Sequence, residues 1–220
     1  HPNLTAAIAL ARFFNWPPTL EEIGYPAVWN PERILKILRA RAARSARVWN
    51  PAYMITTCGK EQEKAAHVLG VVTQLIALKV RSFEDDTLEA FWTRLRTIDG
   101  LGSFLAAQIV ADLKNTAWNP LGTASDWWTF AAPGPGSERG VRWYVGQEKG
   151  QLPKRPFHFL QGLRAMAEEV WPLVDQKAIK PLCMQDWQNV ACEISKYARA
   201  LEGVRKPRRR YRTTEGDYTV

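Results

Sequence analysis

Ile98-Asp99-Gly100-Leu101-Gly102-Ser103 is the stretch on which the reading of this chain turns. It separates two amphipathic patterns. Over residues 87–97, Leu88, Trp92 and Leu95 recur three or four apart, and over 103–114 Phe104, Leu105, Ile109, Val110 and Leu113 lie along one side. A G-x-G between two helices permits a very tight hairpin, because glycine adopts backbone conformations closed to other residues. Such a hairpin gathers backbone N–H groups and a helix N-terminus at one point, where they can hold a phosphate. In a basic protein the expected phosphate is that of a nucleic acid, with Gly100, Gly102 and Ser103 as the contacts. The competing reading is a helical packing module whose glycines merely connect two helices.

The composition bounds the rest. The 220 residues suffice for one core, or one core with an appendage, and 46% apolar content with ten Trp describes a folded chain. The formal net charge is +8. That sum does not identify a partner, but its distribution is uneven. Arg33, Lys36, Arg39, Arg41, Arg44 and Arg47 crowd one segment, residues 205–212 form another, and the acidic residues are dispersed. The three cysteines, Cys58, Cys183 and Cys192, match neither a disulfide framework nor a zinc site, and are too few for a four-cysteine iron–sulfur cluster. A reducing, intracellular setting is expected. No apolar run approaches the roughly 18 to 20 residues of a membrane span, and no signal peptide is visible. The chain opens on His1-Pro2 without Met, so a trimmed product with an N-terminal element missing is expected.

Periodicity predicts an all-α fold of paired helices over 4–14, 31–47, 61–80, 87–97, 103–114, 156–170 and 184–201. Trp16-Pro17-Pro18 stops the first helix, Thr19-Leu20-Glu21-Glu22 reads as an N-cap with a first turn, and Pro31 opens a strong helix with a basic face. Residues 53–57 are extended or helical, and 82–85 lead into the hairpin's first helix. Prolines and glycines punctuate 115–151, which reads as a long irregular site loop carrying Trp118, Asp126, Trp127, Trp128, Arg139, Arg142, Trp143 and Tyr144. The organisation is one helical domain over 1–201 and a basic tail over 202–220.

Several residues carry chemistry in this pattern. A helix and a return segment separate Gly102 from Asp126, which places one carboxylate near the nucleotide held by the hairpin. Trp127 and Trp128 beside it can stack on an extruded base and desolvate the acid. The alternative is that Asp126 caps a helix beginning at Trp127, and the two readings can hold together. Residues 133–140, Pro-Gly-Pro-Gly-Ser-Glu-Arg-Gly, can expose successive N–H groups to an anion with Arg139 adding a fork of donors, or can form a plain surface turn. They are not a P-loop. Asp112 opposes the dipole at the end of its helix, beside Lys114, as a salt bridge or a site carboxylate. Glu193, Lys196 and Tyr197 share a helix face, as an ion pair or a site. Arg12 and Asn15 flank Phe13-Phe14, lining a pocket or covering the aromatics. His67 reads as a surface residue of a long helix. His1 and His158 have no companion ligands, so neither metal nor other cofactor is implied.

With hairpin and downstream carboxylate in view, the chain resembles the helix-hairpin-helix DNA glycosylases. Their hairpin reads roughly L-P-G-x-G, where Ile98-Asp99-Gly100-Leu101-Gly102 stands here, and their catalytic aspartate lies where Asp126 stands. Their lyase members carry a lysine just inside the second helix, where this chain has Ser103-Phe104-Leu105-Ala106-Ala107-Gln108. Over most of its length the chain resembles the phage-associated alpha-glutamyl/putrescinyl thymine pyrophosphorylases, or amino acid:DNA transferases. The segments that carry this are Arg12-Phe13-Phe14-Asn15-Trp16-Pro17, Ala52-Tyr53-Met54-Ile55, Gly102-Ser103-Phe104-Leu105-Ala106 with Asp112-Leu113-Lys114, residues 132–140, and Asp186 through Glu193 to Lys196-Tyr197. The helical domain associated with 5-hydroxymethyluracil DNA kinases shares part of the pattern.

The transferase resemblance implies an enzyme in the cytoplasm of a phage-infected or prophage-bearing bacterial cell. Its substrate is duplex DNA carrying 5-hydroxymethyluracil as a pyrophosphate ester. An amino acid or polyamine (glycine, glutamate or putrescine) displaces pyrophosphate. Asp126 then serves as base on the amine or stabilises the reacting carbon, Arg139 holds the pyrophosphate, and Arg12 and Lys196 are lesser anion ligands. Glu193 positions Lys196 or binds the amine, and Trp127 or Trp128 packs on the extruded base. The alternatives are a DNA glycosylase and a non-catalytic DNA-binding domain associated with a 5-hydroxymethyluracil DNA kinase.

Overall fold

The computed structural model describes residues 3–50, 55–79, 87–117, 119–145, 156–174 and 181–203, and among them there are helices and no strand. The expectations for residues 53–54, 82–85 and 204–220, for His1 and Trp118, and for the His158 side chain lie outside the described residues. The chain forms two compact units. One comprises His1–Ala132 with Leu182–Asp186, the other Pro133–Pro181 with Trp187–Val220.

The first unit holds α1 (Leu4–Phe14), α2 (Pro17–Ile23), α3 (Pro31–Ala43), α4 (Lys64–Ala77), α5 (Leu88–Leu95) and α6 (Ser103–Lys114). Local chemistry sets the boundaries. Asn15 closes α1 in the left-handed region, its N–H on the Ala11 carbonyl at 2.8 Å. The Asn30 side chain accepts the Arg33 N–H at 2.9 Å to start α3, and Thr87 accepts the Ala90 N–H at 3.0 Å to start α5. α1 lies against α4 and α6, α5 against α6, and α3 against α4. Their shared core contains Leu10, Phe13, Phe14, Val68, Val72, Leu75, Phe91, Leu95, Ile109 and Leu113. Each such side chain contributes about 1.5–3 kcal/mol of burial free energy.

α3 is shorter than the predicted 31–47 because Ser45 turns into the left-handed region. Its basic face is also less available than the sequence implies. Arg41 is buried, bonded to Glu22 and to the carbonyls of Pro18 at 3.2 Å and Arg47 at 2.9 Å. Arg44 pairs with Glu22 at 2.5 Å and Arg39 with Glu63 at 2.7 Å. Much of the arginine-rich segment therefore ties α3 to its neighbours.

The second unit holds α7 (Pro135–Tyr144), α8 (Pro156–Val170) and most of α9 (Met184–Leu201), whose first residues belong to the other unit. The long irregular loop predicted for 115–151 is thus corrected: it contains a 3-10 turn, Pro120–Thr123, and α7. Pro135 is tolerated in the first turn of α7. Gly136 and Gly140, one helical turn apart, allow α7 to approach α9 closely. A Cβ at 136 would sit 3.2 Å from the Cys192 Sγ, and one at 140 would overlap the Ala191 carbonyl oxygen. The glycines that read as loop punctuation are a helix-packing face. Trp171 and Trp187 meet edge-on, ring centroids 6.4 Å apart. No described helix is long and apolar enough to cross a membrane.

Candidate nucleic-acid interface

α5 ends in tight turns, Thr97 N–H on Arg94 O and Ile98 N–H on Leu95 O, both at 3.1 Å, and Leu101 N–H then bonds Ile98 O at 3.0 Å. Ile98 and Leu101 are buried and anchor the hairpin from inside. The two glycines differ. Gly100 has φ +90°, and a Cβ there would sit 2.8 Å from Val71 Cγ2 and 3.0 Å from His67 Cε1, so both conformation and space demand glycine. Gly102 has φ −77°, and a Cβ there would meet nothing within 4 Å. Its role is to leave the start of α6 bare. Among the described residues, the N–H groups of Gly100, Gly102 and Ser103 have no acceptor. Gly102 and Ser103 are exposed, as is the Phe104 side chain in the first turn of α6.

α4 forms the back of the hairpin. His67 lies against Gly100, only 4% exposed, with Nδ1 2.7 Å from the Gln62 amide nitrogen. The expectation that His67 is a surface residue is corrected, because α4 turns it inward. Burial lowers its pKa, Lys60 pushes the same way and Asp99 opposes. Lys60 pairs with the Asp99 carboxylate, and this hydrogen bond is the chief cause of the carboxyl's lowered pKa. The Gln74 amide meets both the N–H and the C=O of Asp99 at 3.3 Å. On the other flank the Trp92 indole N–H donates to Ser103 O at 3.1 Å, and the Arg96 guanidinium lies over the Trp92 ring at 4.4 Å. Arg96, exposed at the end of α5, is the cation the hairpin itself carries. Its position two residues before Ile98 is legible in the sequence. Gln74 carried no such signal, since it meets the hairpin across 25 positions.

The other predicted residues of this unit are engaged elsewhere. Asp126 Oδ1 accepts the Leu88 N–H at 2.8 Å and Oδ2 the Glu89 N–H at 2.9 Å, so its carboxylate closes the start of α5. Arg12 is bonded in a fork to Asp112, Nε to Oδ2 at 2.6 Å, joining α1 to α6. Lys114, with no exposed side-chain surface, donates to Asp186 Oδ1 at 2.5 Å and to Cys183 Sγ at 2.6 Å. Its ammonium sits 5.1 Å from the centre of the Trp127 ring. Burial raises the Cys183 thiol pKa against the opposing pull of Lys114. Trp127 is thus half-buried above a lysine, whereas Trp128 is exposed.

In the second unit, Cys192 is half-buried within electrostatic reach of Arg139, Glu193 and Lys196. All three charges act on its thiol, whose pKa burial raises. Lys196 Nζ donates to Glu193 Oε1 at 2.5 Å on the exposed face of α9. The Ser137 hydroxyl bonds both the N–H and the O of Gly134 at 3.1 Å, closing the start of α7.

The family model described as "5-hmdU DNA kinase, helical domain" matches residues 3–206. No curated protein and no solved structure matches. The chain belongs to this helical-domain family. That membership overturns the reading as an alpha-glutamyl/putrescinyl thymine pyrophosphorylase, and with it the amino acid:DNA transferase and glycosylase activities. The roles of base and pyrophosphate holder written for Asp126 and Arg139 lose their premise.

Proposed function

We propose that this domain is a non-catalytic, glycosylase-like DNA-binding module that presents duplex DNA to a kinase acting on 5-hydroxymethyluracil. The observation that carries the proposal is the hairpin. Gly102 leaves the α6 N-terminus bare, and the Gly100, Gly102 and Ser103 N–H groups find no acceptor within the described residues. Oriented N–H groups at a helix start favour a phosphate oxygen, and the exposed Arg96 adds positive charge beside them. Family membership supports the choice of DNA and of the modified base. The reading does not require the amine co-substrate that transfer chemistry needed.

Fluorescence anisotropy with duplexes containing thymine or 5-hydroxymethyluracil tests it. Affinity falls steeply between about 50 and 200 mM salt if several phosphates are contacted. Absence of binding to either duplex at low salt ends the proposal. A phosphate-incorporation assay on the modified duplex then shows whether adding this domain to a kinase raises the rate.

A further inference from the structure

We infer that Gln74 is a positioning residue that sets the direction of the Gly100 N–H, and so decides whether the hairpin can receive a phosphate. The inference rests on the DNA-binding reading above. Its argument is the planarity of one peptide unit. The Asp99 C=O and the Gly100 N–H belong to the same trans peptide and point in opposite directions. Gln74, on α4 behind the hairpin, draws the Asp99 carbonyl toward itself with Nε2 at 3.3 Å. The Gly100 N–H is therefore turned away from α4, to a side where no acceptor stands among the described residues. The Gln74 Oε1 takes the Asp99 N–H at 3.3 Å, so the peptide units on both sides of Asp99 are held by one amide. Gly100 needs this restraint. At φ +90° and without a Cβ, its backbone has little intrinsic preference to keep the peptide plane in one orientation. His67 and Val71 restrict where the Cα lies but offer the peptide no hydrogen bond. Gln74 touches no phosphate and carries no charge; it acts on the ligand only through Gly100.

The experiment compares wild-type protein with Gln74→Leu, Gln74→Glu and, as a hairpin control, Gly102→Asp. It measures duplex affinity across salt, the thermal midpoint, and the 15N order parameter of the Gly100 amide. Gln74→Leu keeps bulk and helix propensity but removes both bonds. Gln74→Glu keeps an acceptor for the Asp99 N–H and places a carboxylate against the Asp99 carbonyl. Both variants are expected to lower the Gly100 order parameter and to weaken DNA binding by about tenfold, and Gln74→Leu, which removes no cation, should leave the salt slope unchanged. The thermal midpoint should move little. A role in mere stability would shift the midpoint and leave the affinity of the folded protein and the Gly100 order parameter alone. Should Gln74→Leu fail to fold, Gln74→Glu gives the answer. If wild type binds DNA and Gly102→Asp does not, but the Gln74 variants bind as wild type does, the inference is overturned and the hairpin reading stands. If the Gly100 amide loosens without loss of affinity, the inference is likewise overturned. If wild type binds no DNA, both fall.

Discussion

Asp126 and Leu88 are joined across 38 positions, the carboxylate of one accepting the backbone N–H of the other at 2.8 Å. Because the second oxygen takes the Glu89 N–H at 2.9 Å, a single side chain satisfies two of the donors that α5 leaves open at its start. Thr87 takes a third, from Ala90. Asp126→Ala should destabilise the protein by about 0.5–2 kcal/mol, the usual cost of a lost cap. Asp126→Asn, which keeps one acceptor, should cost less. Urea unfolding of both variants checks the order. Two variants as stable as wild type would show that water replaces the carboxylate without penalty.

Gly102→Asp separates stability from binding by the sign of its two effects. A side chain there enters open space, and an aspartate at the start of α6 can accept N–H bonds and favour the helix dipole. Stability should hold or rise by about a few tenths of a kcal/mol, while the carboxylate repels a phosphate from the same N–H groups. The thermal midpoint and duplex affinity, measured on one preparation, should move in opposite directions or affinity alone should fall. Unchanged affinity would remove the hairpin from the interface.

The buried His67 makes stability depend on pH. Its imidazole is held below its ordinary pKa of 6.5, first by burial and then by Lys60, with Asp99 opposing. The unfolded chain protonates near 6.5 and the folded chain only at lower pH, so between the two the unfolded state binds more protons. Stability from this residue is therefore complete above about pH 6.5 and is lost as the pH falls toward the lowered folded value. The thermal midpoint of wild type should fall relative to that of His67→Leu as the pH drops from about 8 to 5. Curves that stay parallel between about pH 8 and 5 would assign the acid loss to other groups.

Two glycines to alanine should act oppositely. Gly70, exposed within α4 with nothing within 4 Å of an added Cβ, should stabilise by about 0.5–1 kcal/mol when replaced. Gly140→Ala drives a methyl group into the Ala191 carbonyl, and backbone cannot yield as a side chain does. Its cost should exceed the about 1–3 kcal/mol of ordinary overpacking. Unfolding followed by probes in each unit, Trp171 and Trp187 reporting on the second, localises the damage. A well-folded Gly140→Ala protein would mean that α7 and α9 slide apart at little cost.

Lys114 and Asp186 form the most enclosed ion pair of the first unit among the described residues. Lys114→Met should cost less than Asp186→Ala. The first replaces a buried cation with an apolar chain, whereas the second leaves an ammonium facing Cys183 and the Trp127 ring. Breaking such a pair from one side costs about 3–5 kcal/mol. A double-mutant cycle with no coupling would show that each side chain is solvated independently.

Helix limits follow from near neighbours along the chain, and for four helices the sequence alone sufficed. α1, α6, α8 and α9 occupy the predicted residues because apolar period, prolines and caps act within a turn or two. The hairpin was legible for the same reason, since its glycines adjoin two amphipathic helical patterns. Which polar group answers which was decided by tertiary structure. Asp126 reads as a site carboxylate or as a cap for the helix beginning at Trp127 but caps a helix far earlier, Arg12 is bound by Asp112, and Gln74 bonds the backbone of Asp99 on another element. Gly136 and Gly140 read as a loop because nothing local announces the approach of α9 that makes them a packing face. A hydrogen bond or a helix crossing depends on where two distant segments meet in space, and local periodicity records only which side of a helix is apolar, not what will lie against it.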